Sequence, residues 1–256
     1  MFKLRDWIDE SRLVGQGLSE NPNAISYIER RSLKMEWHLL CDNPRAMELL
    51  EKNKGQIDWY VLSSNPSAID ILQENQDKIN WYKLSENPAA IELLKANRSK
   101  IVWSTLSKNP AAIPLLKENF EQIKWSRLSE NPAAMELLEQ YPKRIDWVKL
   151  SANPSAIKML ETNPHKIAWP WLSINPSAIH LLEKNLDKVH WGMLSINPDA
   201  IHLLEANQEK IDWHWFSANP AIFTYDYKKM VRPFTEELME NRFHPKNLEK
   251  FELWGY

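Results

Sequence analysis

One dipeptide, Asn-Pro, returns every 22 residues through most of the chain. Its prolines are Pro22, Pro44, Pro66, Pro88, Pro110, Pro132, Pro154, Pro176, Pro198 and Pro220, with no insertion between them. Tryptophan keeps the same interval from Trp37 through Trp59, Trp81, Trp103, Trp125, Trp147, Trp169 and Trp191 to Trp213. A period of this length held without slippage signals stacked supersecondary units rather than one globular core.

One unit, read from Ile79 to Asn97, shows what the period does locally. Asn87 suits a helix N-cap, since its side-chain oxygen can accept an orphan backbone N–H. Pro88 follows at the first helical position, where a missing N–H is harmless. The residue before a proline also avoids the α region, as an N-cap does. The pair therefore ends one helix and begins the next. Ala90, Ile91 and Leu94 then recur at helical spacing, with Leu93 flanking that face. Asn97 is expected to stop the helix in a left-handed conformation. Ile79, Trp81 and Leu84 form the apolar side of a shorter preceding helix. The expected fold is therefore all-α, an α-solenoid of tandem 22-residue two-helix repeats with N- and C-terminal caps. Helices this short are marginal alone, so stacking must stabilise them. In an open stack, Trp125→Ala is expected to uncouple the two halves.

Serine stands three residues before the proline at Ser19, Ser63, Ser85, Ser107, Ser129, Ser151, Ser173, Ser195 and Ser217, and Cys41 takes the remaining place. Equivalent positions repeated this often point to packing, with the hydroxyl bonding a carbonyl one turn back. Cys41 reads as a small buried side chain without a catalytic partner set.

The pattern frays at both ends. Gly15 stands where tryptophan is expected, and Arg31 replaces the usual asparagine. Ile222 and Phe223 break the last unit. The chain divides accordingly into an N-terminal cap at 1–17, a helical array of about ten units at 18–223, and a C-terminal cap or appended helical segment at 224–256. Phe234, Leu238, Phe243, Phe251 and Trp254 in that last segment are candidates to cover the exposed end. Extra prolines at Pro114, Pro142, Pro164 and Pro170 are expected to adjust the superhelix locally.

Composition narrows the function classes. The formal net charge is -2, and 43% of the 256 residues are hydrophobic. This argues against disorder and against nucleic-acid binding, which needs unopposed basic charge. The charged N-terminus lacks an apolar signal-like run, and no apolar stretch reaches membrane-spanning length. One cysteine allows no internal disulfide. A soluble, intracellular, unsecreted protein is expected. No Gly-rich phosphate loop, zinc-protease motif or Ser-His-Asp arrangement is present, so no enzymatic activity and no cofactor are expected.

The unit Trp-x-x-Leu-Ser-x-Asn-Pro-x-Ala-Ile-x-Leu-Leu resembles a short repeat in proteins of giant and other large nucleocytoplasmic DNA viruses. The likeness runs from about Leu18 to Phe223. It implies a viral, non-enzymatic repeat protein of the infected host's cytoplasm or of the virus particle, and it brings no catalytic residues.

Recognition should lie in the variable columns. The position before Leu-Ser ends in Trp171, Met193 and Trp215, and the position before Asn-Pro gives Ile174 and Ile196 in the same units. This apolar stripe is either covered by residues 224–256 or a patch for another protein, viral or host, with tryptophan as anchor. His180 and His202 share a column and are candidates for a polar contact. No carboxylate or cysteine at ligand spacing completes a metal site around them. Lys78, Lys100, Arg144, Lys166, Lys188 and Lys210 form a basic column that reads as a solvated face balanced by Glu139, Glu161, Glu183 and Glu205 rather than a phosphate ladder. A protein-interaction scaffold is the expected function, with a structural component of a virus particle as the alternative.

Overall fold

A computed structural model describes residues 2–227 and residue 231. The expected tail contacts of Phe234, Leu238, Phe243, Phe251 and Trp254 lie outside these residues. The array of short helices is as the period requires. Each unit opens with a helix carrying the repeated tryptophan, such as Trp81–Glu86. A 3-10 turn, Pro88–Ala90, then runs into a second helix, Ile91–Ala96. A further 3-10 turn, Arg98–Lys100, leads to the next Trp helix, Trp103–Leu106.

Asn87 caps its helix as expected, its side-chain oxygen accepting from the Ala89 N–H at 3.0 Å. The stop at Asn97 works differently from the expectation. Its backbone sits at φ -127° and ψ 49°, which is not left-handed. Its side-chain amide instead donates to the Leu93 carbonyl at 3.0 Å and satisfies a C-terminal orphan. Pro114, Pro142, Pro164 and Pro170 all fall in the first turn of an element, where proline interrupts nothing.

The repeated leucines, such as Leu84 and Leu94, and the alanine after each proline, such as Ala90, are fully buried. The tryptophans are half-buried and pack against this core. The basic column lies on them. Lys78, Lys100, Lys166, Lys188 and Lys210 place their ammonium groups over Trp59, Trp81, Trp147, Trp169 and Trp191 at 4.2–4.7 Å. The Arg144 guanidinium lies 5.1 Å from the Trp125 ring centre. Each cation lies in the turn that closes the unit its own tryptophan opens, so the two columns recur together as one cation–π contact.

Buried polar ladders fix the spacing between units. The Asn87 amide donates to the Ser63 and Asn65 carbonyls of the preceding unit at 3.1 and 2.9 Å. Ser85 donates to the Trp81 carbonyl at 2.7 Å and accepts from the Val102 N–H of the following unit at 3.0 Å. Both side chains are fully buried. An unsatisfied buried partner costs about 1–3 kcal/mol, so sliding one unit past its neighbour is heavily disfavoured.

These ladders have no end. Asn21, in the first unit, donates to the carbonyls of Ser217 and Asn219 in the tenth, at 3.1 and 2.8 Å. The Val14 N–H donates to Ser217 Oγ at 2.9 Å, completing the serine ladder. Strand β1 (Phe2–Leu4) pairs antiparallel with strand β2 (Phe223–Tyr225). Arg12 lies 4.2 Å over Trp213 and carries the cation–π pattern across the seam. The solenoid is a closed ring of ten units, in which the first and last units cover each other.

The seam explains the irregular first unit. The helix Gly15–Glu20 packs tightly on Trp213–Ala218. A Cβ at Gly17 would lie 2.7 Å from the His214 carbonyl oxygen and from Ser217 Cβ, so no larger residue fits unshifted. Among the described residues, the indole N–H groups of Trp7 and Trp213 are buried without a hydrogen-bond partner, and both sit at this seam.

Candidate functional site: the inner wall of the ring

The closest helix packing between units joins Trp helices, for example Trp81–Glu86 with Trp103–Leu106 and Trp147–Ser151 with Trp169–Ser173. The second helices pack mainly on the 3-10 turns of their own units. Elements nearer a ring's axis must lie closer together. The Trp helices are therefore the inner course and the second helices the outer rim.

Each Trp helix buries its leucine and serine outward and turns the positions two, five and six before proline toward the axis. The structure shows them converging. Glu20, Leu39, Asp42, Val61, Ile196 and Ala218 come from five consecutive units and line one cavity of about 300 Å³. Larger clefts, of about 660, 450 and 430 Å³, lie where the first unit departs from the repeat, among mixed polar side chains such as Glu10, Tyr27, Arg31 and Arg45.

Trp171, Met193, Ile174 and Ile196 are all half-buried on this wall, while Trp215 is 47% exposed. They occupy the eighth to tenth units, and Ala218 of the tenth unit is buried beside them. His180 and His202 are not part of that stripe. They lie on the second helices, and their Nε2 atoms sit 2.9 Å from carboxylate oxygens of Glu161 and Glu183 in the preceding units. The histidine column is thus a set of separate His–Glu pairs on the outer course. Among the described residues no group of three or more His, Cys, Asp or Glu side chains is placed to hold a metal ion.

The inner wall is electrically uneven. In the fourth to seventh units it carries Lys83, Lys108, Arg127 and Lys149 around two carboxylates. Lys83 pairs with Glu86 at 3.3 Å, and Glu130 receives Lys149 at 2.9 Å, Lys108 at 3.7 Å and Arg127 at 3.9 Å. Lys149 also lies 4.3 Å from the Trp171 ring centre, where the cationic arc meets the apolar one. The first and second units contribute Glu20 and Asp42. Loss of hydration raises the Glu20 carboxyl pKa, and the neighbouring Asp42 raises it further against the opposing influence of His214 and His38.

Cys41 is the buried serine substitute expected of it. Its sulfur accepts from the Asp58 N–H at 3.3 Å, and burial raises its thiol pKa. It faces the ladder and not the cavity.

The wall was partly hidden from sequence reasoning. The apolar arc announced itself by composition, but the acidic and cationic arcs look like ordinary surface charge until the ring brings them face to face. Comparison with protein-family models, with curated proteins and with solved structures finds no match. Among the described residues, no helix is long and apolar enough to cross a membrane.

Proposed function

We propose that the protein is a non-enzymatic ring scaffold that holds another protein against its inner wall. One observation carries this reading. The repeated columns are spent on closing and packing the ring, whereas the columns that vary line the cavity, and Trp171, Met193 and Trp215 follow one another in one such column on adjacent units. Partly exposed aromatic anchors surrounded by polar groups are what protein recognition uses. The viral origin implied by the repeat's resemblance belongs to the same proposal, with a viral or host protein as the partner.

The test is affinity capture from cells making the full chain, comparing wild type with the Trp171→Ala/Trp215→Ala variant, followed by calorimetry of the purified pair. Capture by wild type alone, direct binding and an unchanged melting temperature of the variant support the inner wall as the binding face. Identical capture by both proteins removes the partner from that wall.

A further inference from the structure

The inner wall has an order that its composition alone does not disclose. Going round the ring, an acidic arc at the first and second units is followed, after Val61 and Ser64, by the cationic arc of the fourth to seventh units. The apolar arc of the eighth to tenth units closes the circle back to Glu20. Ten units share the full turn, so the three-unit apolar arc subtends about 108°. An amphipathic helix carries an apolar stripe of about 100° or more.

Size agrees with that match. Helices packed side by side lie about 8–10 Å apart, and ten around a circle leave their axes about 25–30 Å apart across it. Subtracting the inner side of each helix leaves a lumen on the order of 15 Å, and one α-helix with side chains is about 10–12 Å across. Charge agrees as well. Lys83, Lys108, Arg127 and Lys149 outnumber the two carboxylates among them, Glu86 and Glu130, and the facing arc offers Glu20 and Asp42.

Resting on the scaffold reading, we propose that the partner enters the ring as a single amphipathic α-helix. Its apolar stripe lies on Trp171, Ile174, Met193, Ile196 and Trp215. Acidic residues on one flank face the cationic arc, and basic residues on the other flank face Glu20 and Asp42. Because the ring is closed, such a helix enters end-on and lies at a free chain terminus.

A designed 18-residue peptide tests this with the full-length protein. It carries leucine at helical stripe positions, glutamate on one flank and lysine on the other, with a fluorophore at one end. Anisotropy should show binding that a scrambled peptide of equal composition loses at least tenfold. Trp171→Ala/Trp215→Ala should weaken it at least tenfold. Arg127→Glu/Lys149→Glu should do the same and be rescued by a peptide with lysine on both flanks, a recovery that an unfolded variant cannot show. Equal affinity of the scrambled peptide, no binding by either peptide, or failure of the rescue overturns the helix proposal. The scaffold reading is then still judged by the capture experiment. A photoreactive benzoylphenylalanine in place of Met193 supplies a second readout. Crosslinks to the added peptide support the proposal. Crosslinks to residues 228–256 of the same chain assign the lumen to the protein's own tail and overturn it.

Discussion

Cys41 departs from the serine of its column and Glu20 from the ordinary carboxylate pKa, and each departure has a measurable sign. A serine at position 41 would add the hydroxyl bond to the Trp37 carbonyl that every other unit's serine makes, as Ser63 does with Trp59 at 2.7 Å. Cys41→Ser should therefore stabilise the protein by about 1 kcal/mol, read from urea unfolding. In the native wild type, iodoacetamide should label the thiol slowly, because burial raises its pKa. For Glu20 the folded-state pKa is raised by lost hydration. Its contribution to stability is thus present below the unfolded carboxylate pKa and is lost as pH rises through the folded value. Glu20→Gln should melt at a higher temperature than wild type at pH 7, and the gap should close as pH falls below 4. A gap that persists in acid would contradict the assignment.

At the level of the repeated element, the asparagine ladder is the dominant device. Asn131→Ala would leave the buried Ser107 and Asn109 carbonyls and the Ala133 N–H without their side-chain partner. It should cost about 3 kcal/mol or more. Asn21→Ala breaks the equivalent bonds at the seam and should cost a similar amount in denaturant titration. In an open array Asn21→Ala would lose only the cap on the Asn23 N–H and cost about 1 kcal/mol, so the ratio of the two losses tests closure. Much of the element was legible beforehand. The period, the Asn-Pro cap, the serine bond one turn back and the leucine core follow from local rules that need no neighbour. The asparagine amide's second task, the helix stop at Asn97 and the pairing of lysines with tryptophans were not legible, because they depend on a neighbouring unit, a backbone angle, or the fold that returns the end of a unit onto its opening helix. The apolar stripe was visible for its composition, whereas its position on an inner wall depended on curvature that no single unit encodes.

For the whole molecule, closure changes what one lesion does. In an open stack Trp125→Ala separates two halves, but a ring keeps the halves joined by the other route. The single variant should lower stability and retain one unfolding transition by calorimetry. Gly17→Val, which forces a side chain against His214 and Ser217, opens the seam. The double variant should show two transitions, since only two cuts divide a circle. Two transitions in Trp125→Ala alone would contradict the ring.

The near-identity of the units also creates a problem of address. Every unit presents serine and asparagine carbonyls that any Asn-Pro edge can recognise, so a growing chain offers many wrong docking places, including those of a neighbouring molecule. Wrong joints of that kind are the characteristic failure of repeat proteins. Residues 2–17 fit one edge alone: Gly17 requires the close approach of Ser217, Arg12 the face of Trp213, and Phe2–Leu4 the strand at Phe223–Tyr225. The irregular first unit works as a key cut for a single lock, and its irregularity lets the chain distinguish its own far end from every similar edge it meets while folding.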